Sequence, residues 1–584
     1  PYGVLIMKRK GLFFTYVLIF ILLSAMIAVS PVSADATITL SPSGGNDTAA
    51  IHAAITNIDD GGTIYFEAGT FHANIFITNP GKSFSLVGAG AGETILDGDI
   101  TGDGNGDGRI LSLTGDNSDV ITIEGISFTN GSAAYGGAIN CEDFPIIVNE
   151  CVFNNNKGGS NGGAVRCARS NTQFNSCIFS YNSADGSYGN GGAIYIGSGQ
   201  CQINDCEFIG NNATRYGGAI SSWDSSLSSP SIYGCTFSSN YASYGGAIDI
   251  LRSSPPISDS TFTNNYALGY GGAIYIRGNS PEISNCTFTS NSASQMGGAI
   301  SNLYSLSRIF DCFFMYNSAS YGGAIHNIQN SIPEIANCVI FGNTAWSYGG
   351  AIYNYQSSPI ITNCTIVGNV SPSGGGILSS APNIAADTMV GETKLGPADD
   401  SYEPLVTNCI VGGNTEGQIV DAGNANTTVT YSNVEGGHPG TGNIDADPRF
   451  VDVPNNFSLM WGSPCIDAGT DTSSPEYGSV TDDILGVARP QGRAYDMGAY
   501  EYVPMPWSPV SIMPLARTQL ATVLEEWNAL SEELPEEPSD EMTGLIERIQ
   551  AHVQNATGLA NPIYASGELA KALSLMGDLS ALIG

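Results

Sequence analysis

A single repeat constrains this chain more than any other feature. A Gly-Gly-Ala-Ile tetrad recurs with its first glycine at positions 136, 191, 217, 245, 271, 297, 322 and 349, and variants begin at Gly162 (GGAV) and Gly374 (GGGI). The steps run from 25 to 29 residues and are most often 26. A second element, Cys-x-Phe-x-x-Asn, keeps the same period: Cys151/Phe153/Asn156, Cys177/Phe179/Asn182, Cys206/Phe208/Asn211, Cys235/Phe237/Asn240, Cys286/Phe288/Asn291 and Cys312/Phe314/Asn317. One coil has Ser260/Phe262/Asn265, and later coils keep Cys338, Cys364 and Cys409 but replace the ring with Ile340, Ile366 and Val411. Two short β-rich runs per period cannot bury a face alone, whereas stacked copies can. Period-two alternation with many Gly and β-branched residues excludes helical repeats.

The expected fold is therefore all-β, a right-handed parallel β-helix of about ten near-identical coils, each advancing about 4.8 Å, the usual strand separation. Like residues then fall above like residues. Phe153 through Phe314 become an interior stack, each ring contributing roughly 2 kcal/mol by burial. The Asn of each unit is expected in a turn, where its side chain can bond the backbone and tolerate left-handed φ, and stacked turns make it a ladder. The cysteines share one inward position, which makes them small hydrophobes rather than metal ligands; free thiols are favoured over disulfides between neighbouring coils. Asn302, Asn327 and Asn354 fall at an inward position of three successive coils and are expected to form a second ladder.

The paired GGAI and FxxN motifs resemble those of the chlamydial polymorphic membrane proteins and related β-helix surface proteins, over roughly residues 125–414. That resemblance implies a cell-surface protein associated with adhesion. Those proteins end in an outer-membrane β-barrel, and no run of ten-residue alternating strands occurs here. Residues 38–99 resemble the N-terminal cap of pectate-lyase-like β-helices: a short helix over 46–55, then a first coil from Gly61 to Phe71, hiding an otherwise open edge. DPRFVD (Asp447 to Asp452), GSPCIDAG (Gly462 to Gly469) and DMGAYE (Asp496 to Glu501) resemble the closing segment of secreted β-helix proteins. There Asp467, Arg489, Arg493, Asp496 and Glu501 are expected to form a salt-bridged terminal cap.

The division that follows is an export signal over 1–34, an N-terminal cap and first coils over 35–110, the repeat domain over 111–435, closing coils and cap over 436–504, and a small α-helical domain over 505–584. The signal rests on Lys8, Arg9 and Lys10, the apolar run from Leu12 to Val29, and the small residues Val32-Ser33-Ala34; the mature chain then has no transmembrane segment and is secreted or held at the cell surface. Three apolar helical faces after Pro504 are candidates for association. The formal charge of −35 reflects few bases rather than many acids, and such a surface repels phosphate backbones, so nucleic acid is excluded as a partner.

Catalysis on this fold would call for clustered carboxylates with Arg, Lys or His. Past each tetrad, alternation sends the first and third residues outward, and in those two rows the one charged conjunction is Asp249 with Arg277, more simply an exposed ion pair between coils. His326 stands alone. Aromatics are denser. Tyr135, Tyr216, Tyr244, Tyr270, Tyr321 and Tyr348 precede the glycine pairs, with Met296 among them; joined by Trp223, Tyr275, Tyr353 and Tyr355 they form a flank on which sugars could stack, or a ladder that shields the turns. The expectation is a binder of polysaccharide or cell-surface glycan, leaning away from an enzyme; a polysaccharide lyase or glycoside hydrolase is the alternative, and a passive envelope protein the third. No cofactor is expected apart from calcium, for which Asp103, Asn105 and Asp107 match the start of a calcium loop whose twelfth position is Thr114. The insertion over 379–404, with Asp399, Asp400 and Glu403, interrupts the coil spacing.

Overall fold

The computed structural model describes residues 36–103, 106–223, 230–381, 402–475 and 478–503. The export signal, the helical domain, Asn105, and all of the 379–404 insertion except its first three and last three residues lie outside them. Among the described residues the chain winds as a right-handed parallel β-helix of four stacked sheets with 13, 15, 14 and 9 strands, every pairing within them parallel. In the coil that starts at Gly271 these are the tetrad strand Ile274–Asn279, a second strand Glu282–Ser284, the phenylalanine strand Thr287–Thr289 and the short strand Ser292–Ala293.

Four strands per coil replace the two runs expected from the sequence. The run ISNCTFTS is folded by single left-handed residues, Asn285 (φ 51°) between the second and phenylalanine strands and Ser290 (φ 56°) after Thr289. The ladder asparagine follows that corner and is itself interior and fully buried; the left-handed φ it could tolerate falls on the residue before it, while the expected ladder forms. Asn291 Nδ2 donates to Asn317 Oδ1 at 3.0 Å and to the Phe262 carbonyl at 2.9 Å, and the same pattern runs from Asn156 to Asn414.

The Gly-Gly pair has a steric reason at each position. The first glycine takes positive φ (65° at Gly271), and a Cβ on the second would lie 2.0 Å from the Gly298 carbonyl oxygen of the next coil. Ala273 and Ile274 then both donate to the Ala299 carbonyl at 2.9 Å, and their side chains fill the interior.

The stack expected from Phe153 to Phe314 extends one coil further back, to Phe128, with centroids 4.6–4.9 Å apart and planes within 7°. All thirteen cysteines are free and buried. The second ladder also stands: Asn302 donates to Asn327, and Asn327 to Asn354, each at 2.8 Å.

At the N-terminal end the strand Thr37–Leu40 opens the solenoid, and helix α1 (Thr48–Asn57, two residues later than expected) buries Ile51, Ala54 and Ile55 in the same core. The closing segment does not sit on the far end. After residues 441–446 add a last partial rung, the chain turns back and lies along the outside of the phenylalanine sheet. Asn337 Nδ2 donates to the Asp482 carbonyl (2.7 Å), Asn408 exchanges hydrogen bonds with Thr470 (2.8 Å each), and Ala499 N donates to Thr365 Oγ1 (3.0 Å). Phe450, Phe457, Ile484, Ala499 and Tyr500 pack there against Phe313, Val339, Phe341 and Val367.

The expected salt-bridged cap is thus a strap, and of its five residues only Arg489 and Glu501 form an ion pair, at 3.0 Å with both side chains fully buried. Asp467 and Asp496 instead accept backbone N–H groups, from Ala494 (3.0 Å) and Asp467 (2.7 Å) respectively, and Arg493 offers Asp467 its backbone N–H. Backbone amides are the donors at hand when a segment without regular structure is folded onto a sheet, because its own N–H groups lack ladder partners.

Candidate functional site

The outer face of the tetrad sheet is where the sequence places its candidates, and the structure covers half of it. Asp249, Tyr275, Ser301, His326 and Tyr353, all in the row read as outward, are nearly or fully buried. The cover comes from the tyrosines before the glycine pairs, which fold back over that face: Tyr244 packs on Tyr275 (5.7 Å between centroids) and Tyr321 on Tyr353 (5.7 Å). Two aromatic patches result, divided by Met296. One joins Tyr216, Tyr244, Tyr270 and Tyr275; the other joins Tyr321, Tyr348, Tyr353, Tyr355 and His326. Tyr275 and Tyr353 belong to the roofed layer and present little surface to a ligand. Tyr216, Tyr244, Tyr270 and Tyr355 are half-buried, and Trp223 is 47% exposed.

Asp249 and Arg277 do pair, with Nη2 at 3.0 and 2.9 Å from the two carboxylate oxygens and Nε at 3.2 Å, though they are not the one charged conjunction of the outward rows, since Arg166 meets Glu142 at 3.4 Å. The expectation of an exposed pair is corrected: Asp249 is 2% exposed and Arg277 lies 3.9 Å from the Tyr216 ring centroid. Burial pushes the Asp249 carboxyl up to about 6 against the pull of Arg277. Burial also opposes the Arg277 charge, yet Asp249 holds that guanidinium above its usual value. A bidentate pair of this geometry stays ionised, and its charges are consumed by each other. His326 is buried, with burial lowering it to about 3, and its Nε2 has no hydrogen-bond partner.

In the calcium candidate, Asp107 Oδ2 accepts the Thr101 N–H at 2.7 Å, and the Asp103 N–H goes to Asp99 at 3.2 Å. Asn105 lies outside the described residues, and among those no group of three metal-binding side chains gathers.

A cleft that sequence reasoning missed lies where the strap meets the solenoid. About 190 Å³ in volume, it is lined by Arg308, Phe310, Asp311, Glu334 and Asn337 on one wall and by residues 478–482 on the other. Arg308 bridges Glu282 and Glu334 at 3.0 and 2.9 Å. Burial raises Asp311 to about 6, with Asp482 and Asp483 adding repulsion. The two walls are more than 140 residues apart in the chain, and no local motif links them.

Comparison with known proteins agrees with this architecture. The family model described as "Right handed beta helix region" matches residues 218–388, and the model described as "Chlamydia polymorphic membrane protein (Chlamydia_PMP) repeat" matches 150–168, 176–197 and 205–222. The chain is thus a right-handed β-helix protein carrying polymorphic-membrane-protein-type repeats. No curated protein matches it. Among solved structures it is similar to ORF18 of Geobacillus virus E2 (TM-score 0.35, 14% identity, 59% of this chain and 62% of that one) and to the PL6 family alginate lyase AlyGC (0.43, 12%, 72% and 55%). It is also similar to the catalytic unit of a GH87 alpha-1,3-glucanase from Streptomyces thermodiastaticus strain HF3-3 (0.35, 14%, 71% and 71%). The chain spans less than two thirds of the first two. Residue roles do not carry across at such similarity.

Proposed function

We propose that this protein is exported to the cell surface and adheres there to carbohydrate through the tyrosine flank of its tetrad sheet. The observation that carries this reading is the file of half-buried Tyr216, Tyr244 and Tyr270, each ring touching the next at 5.3–5.4 Å, with exposed Trp223 on the same sheet. Rings with an apolar face and a polar tip suit the alternating C–H and O–H groups of a pyranose. The polymorphic-membrane-protein-type repeats support surface location, and no helix among the described residues is long and apolar enough to cross a membrane. Glycan-array binding by the full chain tests the proposal, with Trp223→Ala and Tyr244→Ala each expected to weaken binding about tenfold, the effect of roughly 1.4 kcal/mol. An array without a bound glycan would overturn it.

The strap cleft favours a second reading, cleavage of polysaccharide. It gathers Asp311, Glu334 and Asp482 with Arg308, and a glycosidase needs two carboxyl groups of which one is raised, as Asp311 is, to about 6. A product assay on acidic and neutral polysaccharides tests this: activity lost in Asp311→Asn would establish it, and no product from any substrate would remove it. Calcium at Asp103, Asn105 and Asp107 belongs to the proposal as well, and a rise in melting temperature on adding Ca²⁺, reversed by chelation, is its test.

A further inference from the structure

One coil breaks the period beside the tyrosine flank. From Asn182 to Gly191 the step is nine residues, against six from Asn211 to Gly217 in the next coil. The three extra residues form a turn closed by Gly189 N donating to the Gly186 carbonyl at 2.9 Å. Thr214 of the following coil fastens it: Thr214 Oγ1 donates to the Gly186 carbonyl (2.5 Å) and accepts from Gly189 N (3.1 Å). Tyr188 stands on this turn, 66% exposed. Immediately after Thr214 comes Arg215, whose guanidinium lies 5.5 Å from the Tyr188 ring centroid and 4.8 Å from that of Tyr216.

Arg215 makes no ion pair and its guanidinium no hydrogen bond within the described residues. Lys157, Arg166, Arg169, Arg277, Arg308 and Arg489 each meet an Asp or Glu within 4 Å, while Arg252 and Arg493 share the lack of an ion pair but, unlike Arg215, have no ring set against them among the described residues. The acid that faces it, Asp249, is already committed to Arg277. In a chain with 54 acidic and 19 basic residues, a partner would be easy to supply. What the fold supplies instead is two rings, one on an inserted turn and one at the start of the tyrosine flank. The guanidinium fork matches a carboxylate in bidentate fashion, and the flanking rings match the face of a sugar.

We propose that Arg215, framed by Tyr188 and Tyr216, is a subsite that reads the carboxylate of an acidic sugar in the bound glycan. The inference rests on the tyrosine-flank reading and names the ligand class for it. Electrostatic attraction across the whole surface contributes nothing here, because the net charge is strongly negative; recognition comes from the short-range contact.

The test compares oligogalacturonate with its methyl ester, which keeps the ring and removes the charge, titrated calorimetrically into the full chain and into Arg215→Gln, Arg215→Lys and Tyr188→Ala. Wild type is expected to prefer the acid ten- to a hundred-fold, as a charge-assisted bond is lost in the ester. Arg215→Gln should erase that preference, weakening the acid at least tenfold more than the ester, Arg215→Lys should restore part of it, and Tyr188→Ala should weaken both ligands. Equal binding of acid and ester by wild type, or a preference retained in Arg215→Gln, overturns the subsite while the tyrosine flank stands. Failure of both ligands to bind, with no other glycan bound either, removes the flank and the subsite together. Competition by an acidic peptide as strong as by the oligosaccharide overturns the sugar as ligand.

Discussion

From Thr236 to Thr289 the phenylalanine sheet turns two rows of hydroxyls outward, Thr236, Thr261 and Thr287 in one and Ser238, Thr263 and Thr289 in the other, over an unbroken inner stack of rings. From Phe313 onward the same sheet turns Phe313, Val339, Phe341, Val367 and Ile410 outward, and the strap lies on them. The inside changes at the same place: after Phe314 the stack continues as Ile340, Ile366, Val411 and Val434. Aromatic mass leaves the interior of the tube and reappears on its outer face. The early coils thus resemble a sheet with one wet face, and the late coils one buried on both faces, where near-continuous apolar strands are the rule. FFM and VIF in the late coils, against TFS and TFT in the early ones, show that difference in three residues.

The largest expected effect comes from the interior of the early half. Phe237 stacks on Phe208 at 4.8 Å and on Phe262 at 4.7 Å, so Phe237→Ala should cost about 3–5 kcal/mol, read from the shift of the urea midpoint. Phe341→Ala, on the outer face under the strap, removes a half-buried ring and should cost about 2 kcal/mol. Equal losses at the two positions would mean that the outer layer is as tightly packed as the tube, and the contrast between the halves would fail.

Next comes the buried ion pair that folds the strap. Glu501→Ala leaves the Arg489 guanidinium buried without its ion-pair partner, with only the more distant Asp483 and Asp496 to offset its charge, a loss of about 3 kcal/mol. Only the late half should respond: hydrogen exchange should quicken around Phe313 and Phe341 and stay unchanged from Phe153 to Phe262. Uniform loss of protection along the solenoid would show instead that strap and tube unfold as one unit.

The tube was legible because a period near 26 leaves no freedom: once coils stack, Phe288 must meet Phe314, and Asn291 must meet Asn317. The strap was half legible. Its motifs mark a closing segment, but which surface it closes depends on outward residues such as Phe313 and Phe341, whose partners arrive more than a hundred residues later. The tyrosine roof failed for a related reason. Alternation correctly puts Tyr275 on the outer face, yet it cannot show that Tyr244, from the preceding coil, folds over it. Arg215 and Tyr188 carried a signal that a strict count of coil lengths exposes, the three extra residues after Asn182. The strap cleft carried none.

Acid should separate the strap from the coils beneath it. Burial lifts the Asp496 carboxyl to about 7. The folded strap therefore holds that proton more tightly than the unfolded chain, whose aspartates titrate near 3.9; the stabilisation is full below that value and lost as pH rises through about 7. His326, in the tetrad sheet of the late half, runs the other way. Burial holds it near 3 against about 6.5 unfolded, so its contribution is full above 6.5 and is lost as pH falls toward 3. Between pH 7.5 and 5 the strap should gain protection, as should the coil around Asp311, whose carboxyl burial raises to about 6, while the strand Ile325–Ile328 that carries His326 loses some, by hydrogen exchange corrected for intrinsic rates. A change of the same sign in the strap and in that strand would break the assignment.

The smallest effect bears most directly on the comparison. Thr263 faces outward on the early half, half-buried among hydroxyl neighbours with no strap above it. Replacing it by Val keeps the β-branched shape, leaves the strand propensity high and adds one exposed methyl, so stability should change by no more than about 0.5 kcal/mol. Phe341→Thr makes the reverse exchange and puts a hydroxyl beneath the strap, where Phe457 packs at 5.3 Å; lost area and an uncompensated polar group together should exceed 2 kcal/mol. If Thr263→Val proved as costly, the early flank could not be an open surface. A further stretch of the chain or a partner would then have to cover it, as the strap covers the late half.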